Sequence, residues 1–229
     1  MPFVPEVIKN LIIINVLMFL ASLIFEPTMT EYLAMYPFSS ELFRPYQIIT
    51  HMFMHDTQNV FHIFFNMYAL FMFGRDSELA MGAKKFLLFY FITGLGAVVL
   101  HQLAGYLELQ YAISRLSTDE LALFEKGLTI KGDLNLNYVY TVMNTPAVGA
   151  SGAVYGVLVA FGMLYPNRVL MLLFPPIPIK AKYFVLIMGV IELYLGFQNN
   201  GNVAHFAHLG GALFGFLLIN YWRSRGERF

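Results

Sequence analysis

Six stretches of this 229-residue chain are apolar over nearly the length a helix needs to cross a bilayer, and they carry very little charge. Crossing the hydrocarbon core takes about 20 predominantly apolar residues. The candidates run over about 8–26, 59–75, 85–106, 148–165, 181–198 and 203–222. Backbone polar groups in lipid must be satisfied within the protein, which favours helices for such segments. Only 12% of the residues are charged, against about 25% in an ordinary soluble domain. The expected fold is therefore an all-α membrane protein, one domain over 1–229 with six spans. The first stretch lacks an A-x-A cleavage site and runs into Glu26-Pro27, so it reads as a retained span rather than a signal peptide.

Basic residues set the expected orientation, because cytoplasmic loops carry an excess of Lys and Arg. With the N-terminus inside, the inner pieces hold Lys9; Arg75, Lys84 and Lys85; Arg168, Lys180 and Lys182; and Arg223, Arg225 and Arg228. The outer pieces hold Arg44, Arg115, Lys126 and Lys131. The excess favours both termini in the cytoplasm. Spans 2, 4 and 6 then all run from outside to inside, and their starts carry His62 and Asn66, Ser151, and His208. These polar groups share one depth below the outer surface, where they are expensive and functional by default. Net charge is zero, which offers nothing to a nucleic acid. The chain has no cysteine, so disulfides, thiolate zinc sites and a cysteine nucleophile are excluded.

Ser151 lies in Gly149-Ala150-Ser151-Gly152 at a helix start, where free N–H groups and the helix dipole favour developing negative charge. Taken alone, such a serine also suits bonding back to its own helix among small packing residues. On span 6, Gly211, Gly215 and Ala204 fall at roughly −60°, −20° and −40° from His208 at 100° per residue. That stripe of small residues lets another helix come close, and Gly152 and Gly156 offer a matching stripe beside Ser151. A base must reach its nucleophile at about 2.6–3.2 Å, so His208 is the expected base. His205, roughly +60° away, reads as structural. Tyr155 shares the face of Ser151 and can stack on His208. His62 and Asn66 share a face and carry donors suited to an oxyanion, or to interhelical hydrogen bonds. His51 and His55, four apart, and His205 and His208, three apart, are weak metal signals with no carboxylate close in sequence, so no metal or other cofactor is expected. Glu192, the one acid well inside a span, reads as structural or as part of a gate, at a depth that does not obviously meet His208. Ser117-Thr118-Asp119-Glu120 fits a capping box opening a short helix to about Lys126 in the 107–147 loop.

Together, G149-A-S-G152 with Tyr155, A207-H208-L-G-G211-A-L-F-G215, and H62-I-F-F-N66 resemble the rhomboid intramembrane serine proteases, in that family's order and on its helices. The resemblance covers about 8–222 and implies a rhomboid-like bundle. It implies Ser151 as nucleophile and His208 as general base. It places the Ser151 amide, His62, Asn66 and the Gly149 loop around an oxyanion, with Tyr155 against His208 and Gly152, Gly211 and Gly215 in support. Glu78 with Gly82 resembles a structural pattern of the family. One departure stands out. Many members carry Trp-Arg shortly before a threonine in the first loop, where this chain has Tyr46-Gln47 before Thr50, with Arg44 out of register.

The expected activity is endoproteolysis of transmembrane segments of other membrane proteins near the extracytoplasmic face, by a Ser–His dyad and an acyl-enzyme. The natural gate is span 5 with the 198–202 turn. The compact form resembles bacterial plasma-membrane members. The rivals are a non-catalytic client-binding or quality-control relative, a transporter or channel, and a metal-dependent hydrolase. Retention of Ser151 and His208 disfavours the first, and the apolar inner halves of spans 2, 4 and 6 disfavour the second.

Overall fold

A computed structural model describes residues 4–130, 132–171, 176–198, 204–227 and 229. It is helical almost throughout. The helices are α1 (Glu6–Phe25), α2 (Thr28–Leu33), α3 (Gln47–Thr50), α4 (Val60–Met81), α5 (Ala83–Ser114), α6 (Thr118–Glu125), α7 (Leu134–Asn144), α8 (Ser151–Leu164), α9 (Ala181–Gln198) and α10 (Ala204–Ser224). Val169–Met171 and Pro178–Lys180 pair as a short antiparallel ladder between α8 and α9.

By length and composition, α1, α5 and α9 are long and apolar enough to cross a membrane, while α8 is apolar but only 14 residues long. Helix α8 is the central helix, packed by α4, α5, α9 and α10, and residues 152–154, 156–158 and 160–162 are all buried. Phe86, Phe89, Tyr90, Phe161, Ile219 and Trp222 fill the core around it. On the outer helices the large apolar side chains point away from the protein, as with Leu17, Ile24, Leu186 and Phe197. A soluble monomer rarely exposes such continuous apolar surface.

Local chemistry explains the element ends. Pro5 gives α1 no side-chain cap. Instead Glu78 of α4 accepts from the Val7 and Ile8 N–H groups at 3.1 and 2.8 Å, satisfying donors that a helix start leaves free. Gly82 alone joins α4 to α5 at φ +79°, a conformation that suits glycine. Ser117 and Glu120 form the expected capping box of α6.

The segments flanking the expected spans are more structured than the sequence suggested. Helix α5 continues to Ser114 instead of ending near 106, and α4 runs to Met81 instead of 75. The 107–147 stretch is mostly helix. Leu109 and Ala112 of α5 and Val139 of α7 make a small core, with Phe124 of α6 against it. In the first loop, Gln47 is fully buried. Its Oε1 accepts from Arg44 N–H at 3.0 Å, and its Nε2 donates to the Tyr32 and Leu42 carbonyls at 3.2 Å each. Gln47 thus braces the loop at the departure noted above. Thr50 adds a bond to the Leu33 carbonyl, and Gln102 of α5 holds the Tyr36–Phe38 strip from the other side.

Candidate active site

The segment leading into α8 is stitched down before it delivers Ser151. Met35 and Ala147 exchange backbone hydrogen bonds, and Gly149 N–H donates to the His51 carbonyl at 3.0 Å. Gly149 sits at φ +132°. A Cβ there would lie 3.0 Å from His62 Nε2 and 3.5 Å from Ser151 Oγ, so those two atoms border one small space. Ser151 is the first residue of α8, and its N–H is among those with no intrahelical acceptor.

Helix α10 meets α8 backbone to backbone. A Cβ on Gly211 would fall 1.8 Å from the Gly152 carbonyl oxygen, and one on Gly215 would fall 2.9 Å from that of Gly156. This approach brings His208 Nε2 to 2.8 Å from Ser151 Oγ. The Tyr155 ring stacks on His208 at 4.3 Å between centroids and 8° between planes, which restricts rotation of the imidazole.

His62 and Asn66 both line the cavity that holds Ser151 and His208. The His62 Nδ1 accepts from Asp56 N–H at 3.4 Å, which assigns the ring proton to Nε2, the atom facing Gly149 and Ser151. Asn66 Nδ2 donates to the His62 carbonyl at 2.9 Å, leaving its second amide hydrogen available. The cavity, about 860 Å³, lies between α4, α8 and α9 and is walled mainly by apolar groups such as Phe65, Met72, Leu158 and Met188. Phe73 and Phe184 meet across its far end, 6.1 Å between centroids. A second, small cavity of about 50 Å³ also reaches Ser151 and is bordered by His51 and His101, large enough for water.

Glu192 corrects the sequence reading. It lies beside His208, with Oε2 3.0 Å from His208 Nδ1 and 2.6 Å from His205 Nδ1, and its Oε1 accepts from the Tyr155 hydroxyl. Helical rise held the signal. Glu192 is about 9 Å below the end of α9 and His208 about 6 Å below the start of α10, counted at 1.5 Å per residue. His205 is therefore part of the same cluster. Glu192, His205 and His208 place ligand atoms within 4.8 Å of one another, a set able to hold a metal ion. His51 and His55 do not join that set. Burial holds both imidazoles neutral, pushing His51 down to about 4 and His55 to about 3. The His55 ring lies 5.1 Å from that of His62. Residues 199–202 of the expected gate, with Lys131 and Arg228, lie outside the described residues.

A family model described as the rhomboid domain matches residues 42–225. The chain belongs to the rhomboid family. It is also 31% identical over 163 residues to the rhomboid protease AarA of Providencia stuartii, an alignment covering 69% of this chain and 49% of that protein. The chain thus spans about half the length of this curated relative. Family membership and the apolar helices together mark an integral membrane protein, and the motifs that carried the resemblance lie within the rhomboid domain.

Proposed function

We propose that this protein is an intramembrane serine endopeptidase that cuts transmembrane helices of other membrane proteins near their extracytoplasmic ends. The observation that carries the reading is the 2.8 Å contact between Ser151 Oγ and His208 Nε2 at the head of a helix and beside a large apolar cleft. Ser151 attacks the scissile carbonyl and His208 takes its proton. The Ser151 N–H, His62 Nε2 and Asn66 then receive the oxyanion, each donor being worth a few kcal/mol in the transition state. Water from the small cavity beside His51 and His101 hydrolyses the acyl-enzyme.

A substrate helix needs a lateral way in, and α9 supports that role. Among its described residues only Ala181 and Glu192 are buried, whereas α8 is buried along most of its length. Unwound substrate backbone is tolerable only where protein or water can satisfy it, and the His62–Asn66 side of the cleft offers such groups. Six spans with both termini cytoplasmic, in a bacterial plasma membrane, complete the proposal. A bacterial relative supports the location.

The test is covalent labelling by a fluorophosphonate probe in detergent, paired with cleavage of a single-span test protein in liposomes. Wild type should label and cleave, and Ser151→Ala and His208→Ala should do neither. His205→Ala should still label. Folded wild-type protein that neither labels nor cleaves would favour a client-binding role instead.

A further inference from the structure

We propose that Glu192 is a positioning residue for His208, turning the Ser151–His208 pair into a Ser151–His208–Glu192 relay; this inference rests on the protease reading above. Glu192 is buried and is the one acid in a largely apolar helix, where a carboxylate is costly and functional by default. Its two oxygens face three groups. Oε1 accepts from the Tyr155 hydroxyl, while Oε2 faces His205 Nδ1 at 2.6 Å and His208 Nδ1 at 3.0 Å.

His208 Nδ1 is buried, close to this oxygen but without hydrogen-bond alignment to it. Such contacts are commonly loose before substrate binds and tighten in the reacting complex. A proton on Nδ1 turned toward the carboxylate leaves the Nε2 lone pair for the serine hydroxyl. When Nε2 takes that proton, the imidazolium gains the carboxylate as its counter-charge, as in soluble serine triads. His205 and Tyr155 hold the carboxylate in place, and Tyr155 also fixes the plane of the ring by stacking. The competing role is a purely structural tie, with Glu192 and His205 fastening α9 to α10.

Kinetics against pH separate the two. The titratable groups facing His208 are Glu192 on α9, His205 on its own helix, Tyr155 on α8 and His62 on α4, with His51 and His101 across the small cavity. Cleavage of the single-span test protein would be followed from pH 5 to 9, with and without EDTA. The enzymes are wild type, Ser151→Ala, Glu192→Gln, Glu192→Asp and Tyr155→Phe, each checked for its unfolding midpoint. Glu192→Gln is expected to lower kcat by about 100-fold or more, with KM changed less than about threefold, since a wrongly oriented imidazole disables the base. Its acidic limb should move to lower pH, because a neutral amide no longer favours the charged imidazole. Glu192→Asp should recover at least about tenfold of the loss, as a retained carboxylate can still meet the ring. If Glu192→Gln does not fold, Tyr155→Phe decides. It keeps the stacked ring and frees Oε1, and should lower kcat about three- to tenfold at constant KM, the range of one lost hydrogen bond.

Wild-type kcat with an unmoved acidic limb in folded Glu192→Gln, or unchanged kcat in Tyr155→Phe where that variant decides, overturns the relay and leaves the protease reading intact. Loss of wild-type activity in EDTA overturns it in favour of a metal held by Glu192, His205 and His208. Absence of wild-type cleavage, or its persistence in Ser151→Ala, overturns the underlying protease reading and the relay with it.

Discussion

Gly211→Ala tests whether the backbone contact between α8 and α10 sets the geometry of the site. The new Cβ would lie 1.8 Å from the Gly152 carbonyl oxygen and 2.7 Å from its carbon. Carbon and oxygen rest at about 3.3 Å or more, so α10 must retreat by roughly 1.5 Å at that point. The obstacle is backbone, which has no rotamer to swing away. Gly152 follows Ser151 directly, and Gly211 lies one turn beyond His208. The same displacement therefore stretches the 2.8 Å contact between Ser151 and His208 to about 4 Å, beyond the reach of a general base. A misplacement of about 1 Å costs on the order of 100-fold in rate, and overpacking costs about 1–3 kcal/mol of stability. The assay is kcat on the liposome substrate together with the rate of fluorophosphonate labelling and the unfolding midpoint in detergent. Gly105→Ala is the control. No described residue lies within 4 Å of its Cβ position, so activity should be kept and stability should rise by about 0.5–1 kcal/mol. A Gly211→Ala protein with wild-type kcat and midpoint would refute the reasoning.

Three further outcomes are expected. Glu78→Ala removes the acceptor for the Val7 and Ile8 N–H groups and should lower unfolding stability by about 1–3 kcal/mol, while the folded fraction keeps its specific activity; an unchanged midpoint would count against the cap. Gly149→Ala must hold φ +132° with a side chain and press on His62 Nε2, costing about 1–3 kcal/mol in backbone strain and at least about tenfold in kcat, read by thermal unfolding and cleavage together. His51 and His55 are held neutral by burial, at about 4 and about 3, below the ordinary 6.5. The unfolded chain therefore takes up protons first on acidification, and stability should be full above pH 6.5 and fall from there toward about pH 4. The loss should reach a few kcal/mol, and unfolding midpoints that hold steady or rise over that interval would contradict it.

Much of this was legible without coordinates, for identifiable reasons. Apolar length and sparse charge are properties of each segment alone, so the long apolar helices α1, α5 and α9 and the capping box at Ser117 could be read directly. The stripe at His208, Gly211 and Gly215 and the Gly152–Gly156 stripe follow from helical periodicity, which makes a close α8–α10 contact predictable. Glu192 was harder. Its partners lie on two other helices, and only a comparison of depths on the antiparallel pair α9 and α10 brings it level with His208. Helix α7 and the extension of α5 were hidden because their small core of Leu109, Ala112 and Val139 exists only once the pieces pack.

The sequence by itself determined what each segment is: apolar helices that need lipid, a serine opening one helix, and a histidine on the small face of another. Tertiary structure alone decided which groups touch. It brought Ser151 Oγ and His208 Nε2 to 2.8 Å because two glycine stripes let backbones meet, and it turned Glu192 from an isolated acid into the neighbour of Tyr155, His205 and His208. Periodicity is a property of one helix. The distance between side chains on three helices depends on how their backbones pack, and no single stretch of sequence encodes that.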